Sequence, residues 1–259
     1  MIEGTQNVLW IIRQAMSELG LPSPRAAMTT QDELVAQFVS LLNRCGYELV
    51  QGYPWEQLDK QWLLETELGV DEYTIPSDFS YFLDQTQWDR TNHWPLLGPK
   101  TAQEWQWLKG GLLSSGPRIR YRIWKGKFNI FPTPSAQNEP SSDNTGVYAP
   151  WTLAMEYISR NWLESATVAN TTYDMIQSDT DICLLDPWVV TSYLKLKFKQ
   201  AKGLDDTALK NDFVNIFWAR TGKNKGAQVL TLAPRARTML IGINNIPDGS
   251  WNVGNGIGA

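Results

Sequence analysis

The stretch Arg118-Ile119-Arg120-Tyr121-Arg122-Ile123-Trp124-Lys125-Gly126-Lys127-Phe128-Asn129-Ile130-Phe131 decides the fold class of this 259-residue chain. Ile119, Tyr121 and Ile123 alternate with Arg118, Arg120 and Arg122, the two-residue period of a strand with one apolar and one charged face. Lys125-Gly126 supplies a tight turn, and Lys127 to Phe131 returns as the partner strand. Around this hairpin lie further strands. Trp62, Leu64, Thr66 and Leu68 alternate with Gln61, Leu63, Glu65 and Glu67, Gly69 turns the chain, and Glu72-Tyr73-Thr74-Ile75 returns before Pro76. Trp151, Leu153, Met155 and Tyr157 alternate again beyond a Pro-, Ser- and Asn-rich loop over 132–149. The Ser/Thr-rich stretch 164–174 reads as a connection.

Outside that middle the period is helical. Val8, Leu9, Ile11, Ile12, Ala15, Met16 and Leu19 form one stripe, ended by Gly20-Leu21-Pro22. Thr30 with Glu33 has the capping-box spacing and is expected to open a second helix with Leu34, Val35, Phe38, Val39, Leu41 and Leu42 buried. Gly46 is a candidate end, with Tyr47 to Val50 as an extension, and Pro54-Trp55 suggests a short helical turn. Thr101 and Glu104 repeat the capping-box pattern inside the β region. Asp186-Pro187 predicts a helix whose last turns hold Lys195, Lys197, Lys199 and Lys202 against the negative helix end. Asp205 or Asp206 is expected to cap a final helix with Leu209, Phe213, Ile216 and Phe217, ended by Gly222. Helices, strands, then helices predict an α+β protein: a helical bundle body with an inserted antiparallel β module and an extended C-terminal tail. The expected boundaries are 1–60 and 178–222 for the body, 61–177 for the β module and 223–259 for the tail.

Bulk properties bound the function. No apolar run approaches the roughly 18 residues of a membrane span, and Val8 to Ile12 has no basic region before it, so it reads as helix rather than signal peptide. Cys45 and Cys183 lack metal-ligand spacing; a disulfide between them is open, and free buried thiols in a reducing compartment are the favoured reading. The net charge is −4, but Lys223, Lys225, Arg235 and Arg237 against Asp248 put +3 on the end of the chain and leave −7 on the rest. The end also carries Leu230, Leu232, Met239, Ile241, Ile243 and Trp251, apolar enough to risk aggregation in water, so it is expected to order on a partner, with a solvated tail the alternative.

Signals of catalysis are sparse. His93 is the single histidine and sits in an expected loop, so no metal site of several histidines exists and no nucleophile elbow accompanies it. The acids Glu65, Glu67, Asp78, Asp84 and Asp89 admit a glycosidase pair, with solvated or salt-bridged acids the favoured alternative. The thirteen tryptophans are the main anomaly of composition. They suit three roles: core packing for about half of them, stacking on sugars or single-stranded bases, and anchoring protein interfaces together with arginine. No catalytic residue, cofactor or metal ligand is expected.

Several segments in order resemble one family: Tyr73-Thr74-Ile75-Pro76-Ser77-Asp78-Phe79, Trp88-Asp89-Arg90-Thr91, Trp94-Pro95-Leu96, Gly98-Pro99, Gly116-Pro117-Arg118-Ile119-Arg120, Phe131-Pro132-Thr133-Pro134, Tyr157-Ile158-Ser159-Arg160-Asn161-Trp162, Ser178-Asp179-Thr180-Asp181 and Gln200-Ala201-Lys202-Gly203-Leu204-Asp205. Together, over roughly residues 8–220, they resemble the head-to-tail adaptor (connector) proteins of short-tailed bacteriophages. The resemblance implies a virion protein in the phage neck, assembled from the host cytoplasm as a ring, commonly of twelve copies. Its partners would be the portal protein and the tail nozzle or tube, with double-stranded DNA passing through the lumen unread. Trp88, Arg90, Trp94, Arg118, Arg120, Arg122 and Trp124 are then candidates for subunit or tail contacts. Leu230, Leu232, Arg235, Arg237, Met239, Ile241, Ile243 and Trp251 are candidates for portal docking. A carbohydrate-binding or single-stranded nucleic-acid-binding module is the alternative.

Overall fold

The computed structural model describes residues 5–111, 118–135 and 150–224. They form a mixed α+β structure of five helices and antiparallel sheets. The helices are α1 (Val8–Glu18), α2 (Glu33–Gly52), α3 (Ala102–Lys109), α4 (Pro187–Ala201) and α5 (Thr207–Asn224). The strands are β1 (Asp59–Glu65), β2 (Glu72–Thr74), β3 (Phe79–Phe82), β4 (Trp88–Asp89), β5 (Trp94–Pro95), β6 (Arg120–Trp124), β7 (Lys127–Phe131), β8 (Thr152–Ser159), β9 (Leu163–Glu164), β10 (Thr172–Tyr173) and β11 (Ile182–Cys183). One sheet runs β1-β8-β4-β5 with β3 also on β8, a second β2-β7-β6 and a third β10-β9-β11.

The chain divides into two compact units. A helical unit holds the described residues up to Lys60, Asp78–Tyr81 and those from Tyr157 onward; a β unit holds Gln61–Ser77 and the described part of Phe82–Glu156. The stretch 157–177, grouped with the β module in the reading of the sequence, thus clusters with the helices.

In the helical unit α4 packs against α1, α2 and α5. It is buried nearly all round, through Val189, Val190, Leu194, Leu196 and Phe198 together with Thr191 and Ser192. The two hydroxyls bond back to the Pro187 and Val189 carbonyls, so their burial leaves no orphaned donor. α1 presents Val8, Ile11, Ile12, Ala15 and Met16 from an Asn7 cap. α2 starts two residues later than the Thr30 spacing predicts. Asp32 is the cap, its carboxylate accepting from the Leu34 N–H at 2.9 Å, because an ionised acceptor next to the first turn outcompetes a more distant hydroxyl. Nor does Gly46 end α2. It sits inside the helix, where its missing side chain admits the Trp162 indole: a Cβ there would lie 2.1 Å from Cε2 of that ring.

Lys195 and Lys197 are not spread along the helix end as the dipole argument expects. Lys195 bonds to Glu18 on α1 and Lys197 to Glu48 on α2 at 2.7 Å, so these cations tie helices together. Glu48 also accepts from Tyr193 Oη and from Arg44. Burial alone would raise the Glu48 carboxyl, but hydrogen bonds from Lys197, Tyr193 and Arg44 outweigh it and hold it at about 2.

In the β unit the hairpin has the expected form. Trp124 pairs with Lys127 in register, and Lys125 and Gly126 both take positive φ, 52° and 70°, the type I′ geometry that matches strand twist. Its inner face, Tyr121, Phe128 and Ile130, meets Trp62 and Phe82, with the Tyr121 and Phe128 rings stacked at 5.2 Å. Thr101 and Glu104 form both bonds of the capping box that opens α3.

Candidate functional site

The tryptophans divide by environment. Trp55, Trp105, Trp151 and Trp162 are core, whereas Trp88, Trp107, Trp124, Trp188 and Trp218 are exposed. Trp10, Trp62 and Trp94 lie between these classes, and Trp251 falls outside the described residues. Exposing a large aromatic costs the burial that folding otherwise provides, so the exposed set marks candidate contact surfaces.

The first surface is the hairpin tip of the β unit. Tyr121 reaches the core, but two residues on, toward the turn, Ile123 is 37 % exposed. Trp124 is 46 % exposed and flanked by cations, with Lys125 Nζ 4.6 Å and the Arg122 guanidinium 5.7 Å from its ring centre. Between Arg118 and Phe131 the chain has five basic residues and no acid. Such a tip, an apolar plate between cations, suits an acidic surface with an apolar centre.

The second surface is a shallow groove of about 310 Å³ beside Trp88 and Arg90, walled by Gln61, Gln85 and Glu156. Trp88 is fixed there by its indole N–H donating to the Gln85 carbonyl at 3.2 Å.

Not every residue singled out from the sequence reaches these surfaces. Arg118 is only 4 % exposed and lies with its guanidinium 4.9 Å from the centre of the half-buried Trp94 ring. The strict alternation that put Arg118 outward fails because it precedes β6 in a bend, where stacking on an indole replaces hydration. Arg120 is half-buried and donates to the Arg118 carbonyl at 3.4 Å. Trp88, Arg90 and Trp124 are exposed, and Arg122 is half-buried like Arg120. The eight portal-docking candidates between Leu230 and Trp251 lie outside the described residues.

The acids considered for a sugar-cleaving pair are used separately. Asp89 is 2 % exposed and accepts from the Thr91 and Asn92 N–H groups and from Asn92 Nδ2, shaping the turn that carries His93 at φ 59°. In the helical unit Asp78 accepts from Lys60 at 2.6 Å, Ser159 at 2.9 Å and Tyr157 at 3.0 Å. Burial raises its carboxyl, but those three bonds lower it further than burial lifts it, and the same contact with burial pushes the Tyr157 hydroxyl well up. Glu65, Glu67 and Asp84 are solvent-exposed. Among the described residues no three His, Cys, Asp or Glu side chains gather as metal ligands. Cys45 and Cys183 are free and fully buried, and burial pushes both thiols to about 12. Among the described residues no helix is long and apolar enough to cross a membrane.

Trp188 and Trp218, exposed on the helical unit, were not singled out by reading the sequence. For Trp218 a signal exists: with Val214 it falls four residues apart on the side of α5 away from Phe213 and Phe217. No protein-family model matches this sequence, and no curated protein matches it.

Proposed function

We propose that this chain is a structural virion protein without catalytic activity, a head-to-tail adaptor that forms a ring between the portal and the tail nozzle or tube. The ordered series of motifs from Tyr73-Thr74-Ile75-Pro76 to Gln200-Ala201-Lys202-Gly203 carries this reading. The exposed tryptophans support it, because a chain that works buried among other chains needs such anchors on its surface. In this reading the protein has a helical bundle body, an inserted β module and an extended C-terminal tail. The hairpin tip with Arg122, Trp124 and Lys125 and the Trp88–Arg90 groove face tail proteins or neighbouring copies. The segment from Leu230 to Trp251, apolar and basic, docks on an acidic groove of the portal or adds a strand to it. Excess negative charge on the rest of the chain repels the phosphates of DNA passing through the lumen and limits sticking.

The test is negative-stain microscopy of the purified chain mixed with the portal protein encoded alongside it. Rings seated on portals, commonly of twelve copies, are the expected result. A chain that stays monomeric and ignores the portal overturns the reading, as does tight, steeply salt-dependent binding of single-stranded DNA by the monomer, the mark of a base-stacking module. Deleting 235–259 separates the tail's role from that of the body: undiminished portal binding overturns the docking assignment alone.

A further inference from the structure

The helical unit carries two uncovered surfaces of matching chemistry on different helices. On α5, Phe213, Ile216 and Phe217 turn toward the unit, with Phe213 stacked on Tyr193 of α4 at 4.6 Å. Opposite them run Asn211, Val214, Asn215, Trp218 and Gly222, at the three- and four-residue spacing of one helix face. All five are exposed, Val214 by 40 % and Trp218 by 68 %, and none is charged. An exposed helix face ordinarily carries charge; here its centre is an indole.

The second surface is a groove of about 610 Å³ along α2. Ser40, Asn43, Tyr47 and Gln51 form one wall, Phe79 and Met175 contribute apolar surface, and the buried Trp162 lies among the lining groups. Tyr47 is 66 % and Met175 59 % exposed. The charged groups at the rim pair within the chain, Arg44 with Glu48 at 2.7 Å, which it shares with Lys197, and Arg160 with Asp174 at 3.6 Å. Exposed aromatics among paired charges suit an interface core.

α4 packs between the two helices that carry these surfaces. Its Tyr193 bonds to Glu48 of α2 and stacks on Phe213 of α5. A protruding indole on α5 and an aromatic-lined hollow on α2 are thus separate patches of one unit. We propose that copies of this chain associate head to tail through them, Trp218 of one copy seating in the Tyr47–Met175 groove of the next. One such contact covers both exposed patches in every copy. A contact between two different patches propagates from chain to chain and closes into a ring when the rotation per step divides the circle, whereas a patch meeting itself stops at a dimer. This inference rests on the ring-forming adaptor reading and assigns the faces that make the ring.

The experiment pairs Ser40→Cys with Asn215→Cys in one full-length chain, the native thiols being buried. After assembly on the portal and mild oxidation, a ladder of disulfide-linked multimers is expected from the double variant and none from either single variant. Trp218→Asp, a change at an exposed side chain, should fold as the parent does and require at least tenfold more protein for ring assembly. Val168→Asp, at a comparably exposed apolar side chain of the same unit that belongs to neither patch, should assemble as the parent does. Parent-like assembly by Trp218→Asp, or cross-linked dimers from Asn215→Cys alone, overturns the assignment and leaves the adaptor reading intact. Absence of rings from the parent chain overturns both.

Discussion

Replacing Gly46 with alanine sets helix propensity against packing, and the geometry decides which wins. Position 46 lies in the middle of the 20-residue α2, where alanine is favoured over glycine by about 1 kcal/mol. Against that gain, the new Cβ would meet Trp162 Cε2 at 2.1 Å and Cδ2 and Cζ2 at 2.5 Å, more than 1 Å inside ordinary contact. The indole has little room to yield. Trp162 is fully buried, its Nε1 donates to the Asp174 carbonyl at 2.9 Å, and its own carbonyl accepts from the Leu184 N–H. Forcing an extra methyl into such a site costs about 1–3 kcal/mol, sometimes more, and losing the indole hydrogen bond adds about 1 kcal/mol. The expected net effect of Gly46→Ala is a loss of about 1–3 kcal/mol, read as a lower urea midpoint for the transition that the helical unit contributes. Pairing it with Trp162→Leu makes the reasoning specific. The double variant should be less destabilised than the two singles together, with a coupling of about 1 kcal/mol or more. A Gly46→Ala protein as stable as the parent, or strictly additive effects, would refute the packing account.

Three further outcomes follow from single sites. Glu48 titrates near 2 in the folded chain against an ordinary 4.5, so the unfolded chain binds the extra proton; its stabilisation is complete above pH 4.5 and is lost as pH falls toward 2. Acid titration of thermal stability should show that loss, and Glu48→Gln should flatten its share of it. Cys45 and Cys183, raised to about 12 by burial, should resist a thiol reagent at pH 8 and give two equivalents only in denaturant; fast reaction of either thiol in the native protein would contradict the packing. Thr101→Ala removes half of the α3 capping box and should cost about 0.5–2 kcal/mol, visible as faster amide exchange over 102–109 while α2 stays protected.

What could be read in advance depended on whether a local rule acted without competition. The hairpin was legible because alternation, a Lys-Gly turn and the return strand agree, and Thr101 with Glu104 has no rival cap nearby. Thr30 had a rival in Asp32, and spacing alone cannot rank a hydroxyl against a carboxylate two residues later. Gly46 and Arg118 departed from expectation for a shared reason: an indole distant in sequence, Trp162 or Trp94, supplies the decisive contact. Which way Trp88 and Trp124 face was legible least, since their strands of two and five residues are too short for periodicity to assign a face.

α5 is where sequence and structure combine most closely. Reading one apolar stripe, Leu209, Phe213, Ile216 and Phe217, accounts for its contact with α4 but leaves Val214 and Trp218 over. A helix that needs only one neighbour has no use for a second apolar stripe, because exposing it raises the risk of aggregation and gains nothing in the monomer. In the proposed assembly the indole, 68 % exposed in the single chain, is covered by the next copy. The uncharged polar groups around it, Asn211 and Asn215, sharpen the point: they tolerate burial at an interface far better than the lysines and glutamates usual on such a face. The proposed partner for that face is a hollow with aromatic walls whose charged groups pair within the chain, the groove beside Tyr47 on the same unit.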